Sequence, residues 1–245
     1  MREPILLPEE IEALLQETPK SRRSAFRSRE LFSNSLPDVP DVLSRSGHGP
    51  EFRRFRKDLR QSGFSWIKTL SEFRHDLTPS VDPGILEDLF DLSFLDRREN
   101  ILLSGPSNSG KTHLAIALGE KASGLGLAVS FRSFSSLLDE LKKRGENGEF
   151  SDDIVKARNA RILILDDFGG VRISREDSSN FLDFLSQRSS KGGLVLTSRI
   201  SLIGWNKVFG SGSFSEKILE HLLEHVSWIR LHPSNFSKNG HSWNP

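Results

Sequence analysis

Residues Gly105-Pro106-Ser107-Asn108-Ser109-Gly110-Lys111-Thr112 space two glycines, a lysine and a hydroxyl in a pattern that few folds can use. The apolar run Ile101-Leu102-Leu103 stands just before it, and a helical stretch from Lys111 to Ala122 follows. A strand that turns through glycines into a helix aims backbone N–H groups and the positive helix end at one point. Phosphate suits such a point. The glycines let the main chain bend and approach where a Cβ would obstruct. Lys111 is placed to reach the β- and γ-phosphates of a triphosphate, and the Thr112 hydroxyl to take a position on Mg²⁺. ATP with Mg²⁺ is therefore the expected ligand. Asn108 tolerates the left-handed backbone that such a loop imposes. His113, one residue beyond, belongs with the nucleotide-contacting segment in a structural and not a catalytic role.

A phosphate loop needs a second anchor for its metal, from an acid at the carboxyl end of a neighbouring buried strand. Residues 161–167 read Arg-Ile-Leu-Ile-Leu-Asp-Asp. Four apolar residues end there in two carboxylates. Asp166 is expected to hold Mg²⁺ directly or through water, and Asp167 to polarise an attacking water as a general base. Lys111, Asp166 and Asp167 are thus the candidate catalytic residues. The competing reading is that either acid merely ends the strand or caps the next element.

From about Asn100 onward strand and helix signals alternate. Strands are expected at 101–103, 127–131, 162–165, 194–197 and 228–231, with helices over 111–122, 135–144, 177–188 and 215–225. Ile162 to Leu165 contains no polar residue and reads as a strand buried on both faces. Repeated β-α-β units imply an α/β fold, a three-layer P-loop sandwich around a mostly parallel sheet. Upstream, residues 8–17 fit a short amphipathic helix, and Lys20 to Pro50 is a Ser-, Arg-, Pro- and Gly-rich linker. Residues 51–61 resume a helical pattern, with Phe52, Phe55 and Leu59 on one stripe and Arg53, Arg54, Arg56, Lys57 and Arg60 around the remainder. The expected division is a divergent segment at 1–50, a small basic helical region at 51–95, the P-loop domain at 96–236 and a disordered tail at 237–245.

Composition narrows the setting. No apolar run approaches the roughly 18 residues of a membrane span, so no membrane association is expected. Without cysteine there is no disulfide and no thiolate zinc site, which fits a cytoplasmic protein. A formal net charge of +1 excludes a polycation, so any electrostatic partner must be met by local patches. Two such patches exist: Lys20, Arg22, Arg23, Arg27 and Arg29, and then Arg53 through Arg60. Either is a plausible phosphate-contacting face or simply a solvated one.

With both motifs placed, the chain resembles the IstB-type transposition helper ATPases of bacterial insertion sequences, AAA+ proteins related to the helicase loader DnaC. The resemblance runs from about Phe52 to Phe236. It rests on GFSWIKTLSEF (63–73), LDRRENILLSGPSNSGKTHLAIALGEKA (95–122), ILILDDFGG (162–170), LVLTSR (194–199) and WNKVFG (205–210). It implies an ATP-dependent homo-oligomer that binds DNA through its phosphate backbone, without base readout, and assists a transposase in engaging target DNA. An ATP-gated DNA scaffold with little hydrolysis and a DnaC-like helicase loader are the alternatives.

Several positions depart from the family pattern. Arg199 stands where a sensor asparagine is expected, and Glu220-His221-Leu222 replaces the Asp-Arg-Leu box that supplies an arginine finger. Asn235-Phe236-Ser237 only loosely matches a C-terminal Ser-Tyr-Arg region. These departures bear on hydrolysis and not on binding. Arg172 and Arg175 are read as loop charges, and Trp205 and Trp228 as core residues near the sheet.

Overall fold

The computed structural model describes residues 49–64, 83–143, 149–188, 192–200, 202–209, 213–223 and 225–231. The expected helix over 8–17, the basic residues Lys20 to Arg29, Asn235-Phe236-Ser237 and the tail at 237–245 lie outside them.

Among the described residues five strands, β1 (Asn100–Ser104), β2 (Val129–Ser133), β3 (Ile162–Asp166), β4 (Gly193–Ser198) and β5 (Val226–Arg230), form one sheet in the order β2-β3-β4-β1-β5. Every pairing is parallel. Alternate residues of a strand face opposite sides of a sheet, and here both sides are covered. Ile162 and Ile164 enter one apolar core with Leu114, Leu118 and Phe131. Leu163 and Leu165 enter the other with Phe134, Phe168 and Phe181. A strand with no solvent side needs apolar residues throughout, hence the unbroken Ile-Leu-Ile-Leu run.

The second core is largely aromatic. Phe134 lies 4.4 Å from Phe168 between ring centroids, and Phe168 lies 4.8 Å from Trp205. Trp205 is fully buried as expected, whereas Trp228 is only partly so, its ring covered by the Arg230 guanidinium at 3.8 Å.

The helices are α1 (Pro50–Gln61), α2 (Pro83–Phe90), α3 (Lys111–Gly124), α4 (Phe134–Lys142), α5 (Asp152–Asn159), α6 (Arg175–Arg188), α7 (Leu202–Phe209) and α8 (Ser213–Leu223). α2 falls within the region at 51–95 expected to be helical, whereas α5 and α7, also eight residues long, were not expected from the sequence. Their amphipathic pattern spans barely two turns, too few to register as a period. Ser133 caps α4 by accepting from the Ser136 N–H, and Ser151 caps α5 by accepting from the Ile154 N–H. α3 differs: Gly110 precedes it at φ 89° and no side chain caps its first turn.

α1 buries Phe55 and Leu59 in the same core as α3. Between them, Asp58 reaches the outer edge of β2, accepting from the Ser130 hydroxyl (2.9 Å) and the Phe131 N–H (3.3 Å) and pairing with Arg132 at 2.9 Å. Arg132 in turn donates to the Phe131 carbonyl (2.8 Å). This network covers edge groups that would otherwise invite another strand. Arg188, 1% exposed, donates to the carbonyls of Ala157, Arg158, Ala160 and Gly193, tying the end of α5 to the start of β4. No described helix is long and apolar enough to cross a membrane.

Candidate nucleotide site

The parallel register brings Ser104, Asp166 and Ser198, the last residues of β1, β3 and β4, to one edge of the sheet. Gly105 leaves β1 there, its N–H donating to the Ser198 carbonyl (3.2 Å). A Cβ at Gly105 would collide with the Leu231 carbonyl, so only glycine passes this point. The loop continues through Asn108 at φ 62°, the left-handed conformation foreseen for it. Pro106, Ser107 and Asn108 are exposed, Ser109 is buried, and Gly110 turns into α3.

Lys111 is 6% exposed, and its ammonium lies back over the loop, donating to the Pro106 carbonyl (2.6 Å) and the Ser109 hydroxyl (3.2 Å). Burial, chiefly, holds its pKa below the ordinary lysine range. Asp166 and Asp167 oppose that shift and Arg199 adds to it. A buried cation with such neighbours gains from an incoming anion. His113 is partly buried on the first turn of α3.

The Thr112 hydroxyl donates to Asp166 Oδ1 at 2.8 Å, so the two expected metal ligands face each other across the gap between α3 and β3. Thr197, from β4, donates to the same oxygen at 2.6 Å and accepts from the Asp167 N–H at 3.0 Å. This threonine positions both acids. It was not among the residues expected from the sequence, although a hydroxyl at the carboxyl end of the strand beside β3 was a signal in plain view. Asp167 sits at φ 56°, and its carboxylate receives the Arg199 guanidinium at two points, Nε to Oδ1 (2.7 Å) and Nη2 to Oδ2 (2.9 Å).

These residues fit magnesium-bound ATP. A hydroxyl and a carboxylate within hydrogen-bond distance make a two-ligand corner of the kind Mg²⁺ uses when phosphates and water complete its shell. The uncapped helix start and buried lysine supply the phosphate side. Arg172 and Arg175, expected as loop charges, are exposed where the chain enters α6. His221 lies on α8 with Nε2 3.4 Å from the Ser186 hydroxyl of α6.

A glycine-rich loop after β1, an acid closing β3 and the strand order β2-β3-β4-β1-β5 define a P-loop nucleotide-binding protein of the AAA+ class. Solved structures share this fold. The crystal structure of DnaI superposes with a TM-score of 0.56 at 18% identity, covering 74% of this chain and 92% of that one. The replication initiator DnaA bound to AMPPCP and single-stranded DNA gives 0.54 at 17% identity, covering 69% of this chain and 50% of that one. At such identities the likeness is one of fold. In sequence, the family model for the IstB-like ATP binding protein matches residues 25–242. The insertion sequence IS21 putative ATP-binding protein of Pseudomonas aeruginosa is 34% identical over 190 residues, 78% of this chain and 72% of that one. The chain belongs to the IstB-like ATP-binding protein family.

Proposed function

We propose that this protein binds ATP and Mg²⁺ through residues 105–113, assembles as a homo-oligomer on DNA, and assists a transposase in ATP-dependent engagement of target DNA. The observation that carries the nucleotide half is the convergence of Thr112 and Thr197 on one oxygen of Asp166, beside the buried Lys111. In this reading Gly105 to Gly110 cradle the phosphates, Lys111 spans the β- and γ-phosphates, and Thr112 with Asp166 holds the metal. Asp167 orients the attacking water. The working unit is the P-loop domain at 96–236 together with the basic helical region at 51–95, whose α1 shares a core with α3, and the setting is the cytoplasm.

For the DNA half, α1 turns its basic residues outward while Phe55 and Leu59 face the core. Arg53, Arg54 and Lys57 line a groove of about 300 Å³ with Arg132 and, from α5, Lys156. Asp58 and Asp153 are the carboxylates in that lining. One pairs with Arg132 and the other with Lys156. The basic excess suits a sugar-phosphate backbone and offers no base readout. The DnaA structure bound to single-stranded DNA supports the reading that this fold can work on nucleic acid.

A second reading, an ATP-gated scaffold that hydrolyses slowly, is favoured by the grip of Arg199 on Asp167. Phosphate release measured with and without DNA separates the two. Turnover stimulated by DNA is expected. Background turnover with normal nucleotide binding selects the scaffold.

A further inference from the structure

The groove beside α1 has a floor unlike its rim. Arg53, Arg54 and Lys57 reach it from α1 and Lys156 from α5, and all four are exposed. Arg132, from β2, lines the same groove with only 8% of its side chain exposed. Its guanidinium is fixed. Nη1 donates to the Phe131 carbonyl (2.8 Å) and pairs with Asp58 (2.9 Å), which is itself held by the Ser130 hydroxyl and the Phe131 N–H. Nε, also buried, has no hydrogen-bond partner among the described residues, and Glu140 stands 3.7 Å from it, beyond hydrogen-bond reach. A buried donor without an acceptor is costly. No aromatic side chain belongs to the lining, so the groove has no ring on which a base would stack.

We propose that Arg132 is the floor of a built phosphate pocket, gripping one phosphate ester of a nucleic-acid strand while the rim cations hold its neighbours more loosely. The inference rests on the DNA reading above, which needs only a basic surface, and adds to it a single fixed contact. At about 300 Å³ the groove lies at the lower end of small-ligand sites, with room for one phosphate and its flanking sugars. Arg53, Arg54, Lys57, Arg132 and Lys156 outnumber the carboxylates of Asp58 and Asp153 in its lining, so an anion is favoured there. The planar fork of an arginine matches phosphate oxygens. Asp58 and the Phe131 carbonyl hold that fork in place beforehand, so little freedom is lost on binding. Salt screens buried charges much less than exposed ones. The Arg132 contact therefore persists at ionic strengths that strip the rim contacts away. A free phosphate ester shares this chemistry, and the test separates the two sources.

The test is binding of a labelled DNA oligonucleotide, at several salt concentrations, to the parent, R132K and K57Q. R132K keeps the charge and loses the fork. It should weaken binding about tenfold at every salt concentration and leave the salt slope unchanged. K57Q should do the reverse, lowering the slope by roughly 0.7–0.9 with an effect that fades as salt rises. R132K that is folded and binds like the parent, or that changes the slope as K57Q does, overturns the pocket while leaving the basic surface intact. A parent that binds no DNA overturns the DNA reading as a whole. If R132K does not fold, the pocket is tested in K111A, whose phosphate loop is disabled, by phosphorus NMR of AMP and of inorganic phosphate at constant ionic strength. Saturable broadening that added DNA relieves is the expected result. Broadening that persists with DNA bound assigns the pocket to a free phosphate ester and overturns the strand contact, and no saturable broadening overturns the pocket.

Discussion

The ring of Phe55 fills the space that a side chain at Gly119 would need: a Cβ on that glycine would lie 2.7 Å from Phe55 Cε2 and 2.8 Å from Ile164 Cδ1. The basic helix α1 is thereby seated directly on α3, the helix that carries Lys111 and Thr112. Gly119→Ala should therefore destabilise the fold by about 1–3 kcal/mol through overpacking, although alanine in a helix interior ordinarily gains about 1 kcal/mol over glycine. Urea denaturation reads the sign, and Phe55→Leu combined with Gly119→Ala should recover part of the stability.

Thr197→Val keeps the shape of the side chain and removes its hydroxyl. Asp166 Oδ1 then keeps only the Thr112 hydroxyl as donor and the Asp167 N–H loses its acceptor, at a cost of about 1–3 kcal/mol in stability. Affinity for ATP should fall in the presence of Mg²⁺ and change little in its absence, as measured by titration with and without a chelator. An equal effect under both conditions would assign Thr197 to packing alone.

Replacing Arg53, Arg54 and Lys57 together by glutamate should weaken DNA binding and flatten its salt dependence. For every phosphate that the protein no longer neutralises, the slope of log affinity against log salt falls by roughly 0.7–0.9. Binding isotherms at several salt concentrations check this. An unchanged slope would remove the α1 groove from the DNA site.

Asp177 closes the first turn of α6, accepting from the Ser174 hydroxyl (2.8 Å) and N–H (3.2 Å) with Lys142 at 3.4 Å. Burial pushes its carboxyl upward, but those hydrogen bonds and the lysine outweigh it, so its pKa lies below the usual value. A depressed carboxyl stabilises the fold above its unfolded pKa, and that contribution disappears as pH falls below about 4. Asp177→Asn should lower the melting temperature at pH 7 and make stability less steep in acid. A parallel downward shift at every pH would contradict the assignment.

The sheet and phosphate loop were legible because their physics is local. A doubly buried strand must be apolar throughout, as Ile162 to Leu165 is, and a phosphate cradle needs glycines, a lysine and a hydroxyl in sequence. Asn108 declared its left-handed backbone by its residue type. What stayed hidden depended on distant segments meeting. Arg188 is the last residue of the helix expected over 177–188, and nothing local in the sequence says that it is buried under four carbonyls. Asp58 sat among arginines on a basic helix, yet its partners are on β2. Arg199 read as a departure from a family pattern, and only the turn at 167–170 shows what it holds.

The central claim is that Lys111, Thr112 and Asp166 together bind magnesium-bound ATP. Calorimetric titration of ATP into the parent and Lys111→Ala, with Mg²⁺ present, tests it most directly. Saturable binding by the parent, abolished in Lys111→Ala while the variant stays folded by circular dichroism, is the predicted result. Equal binding by both proteins, or none by the parent, would contradict it.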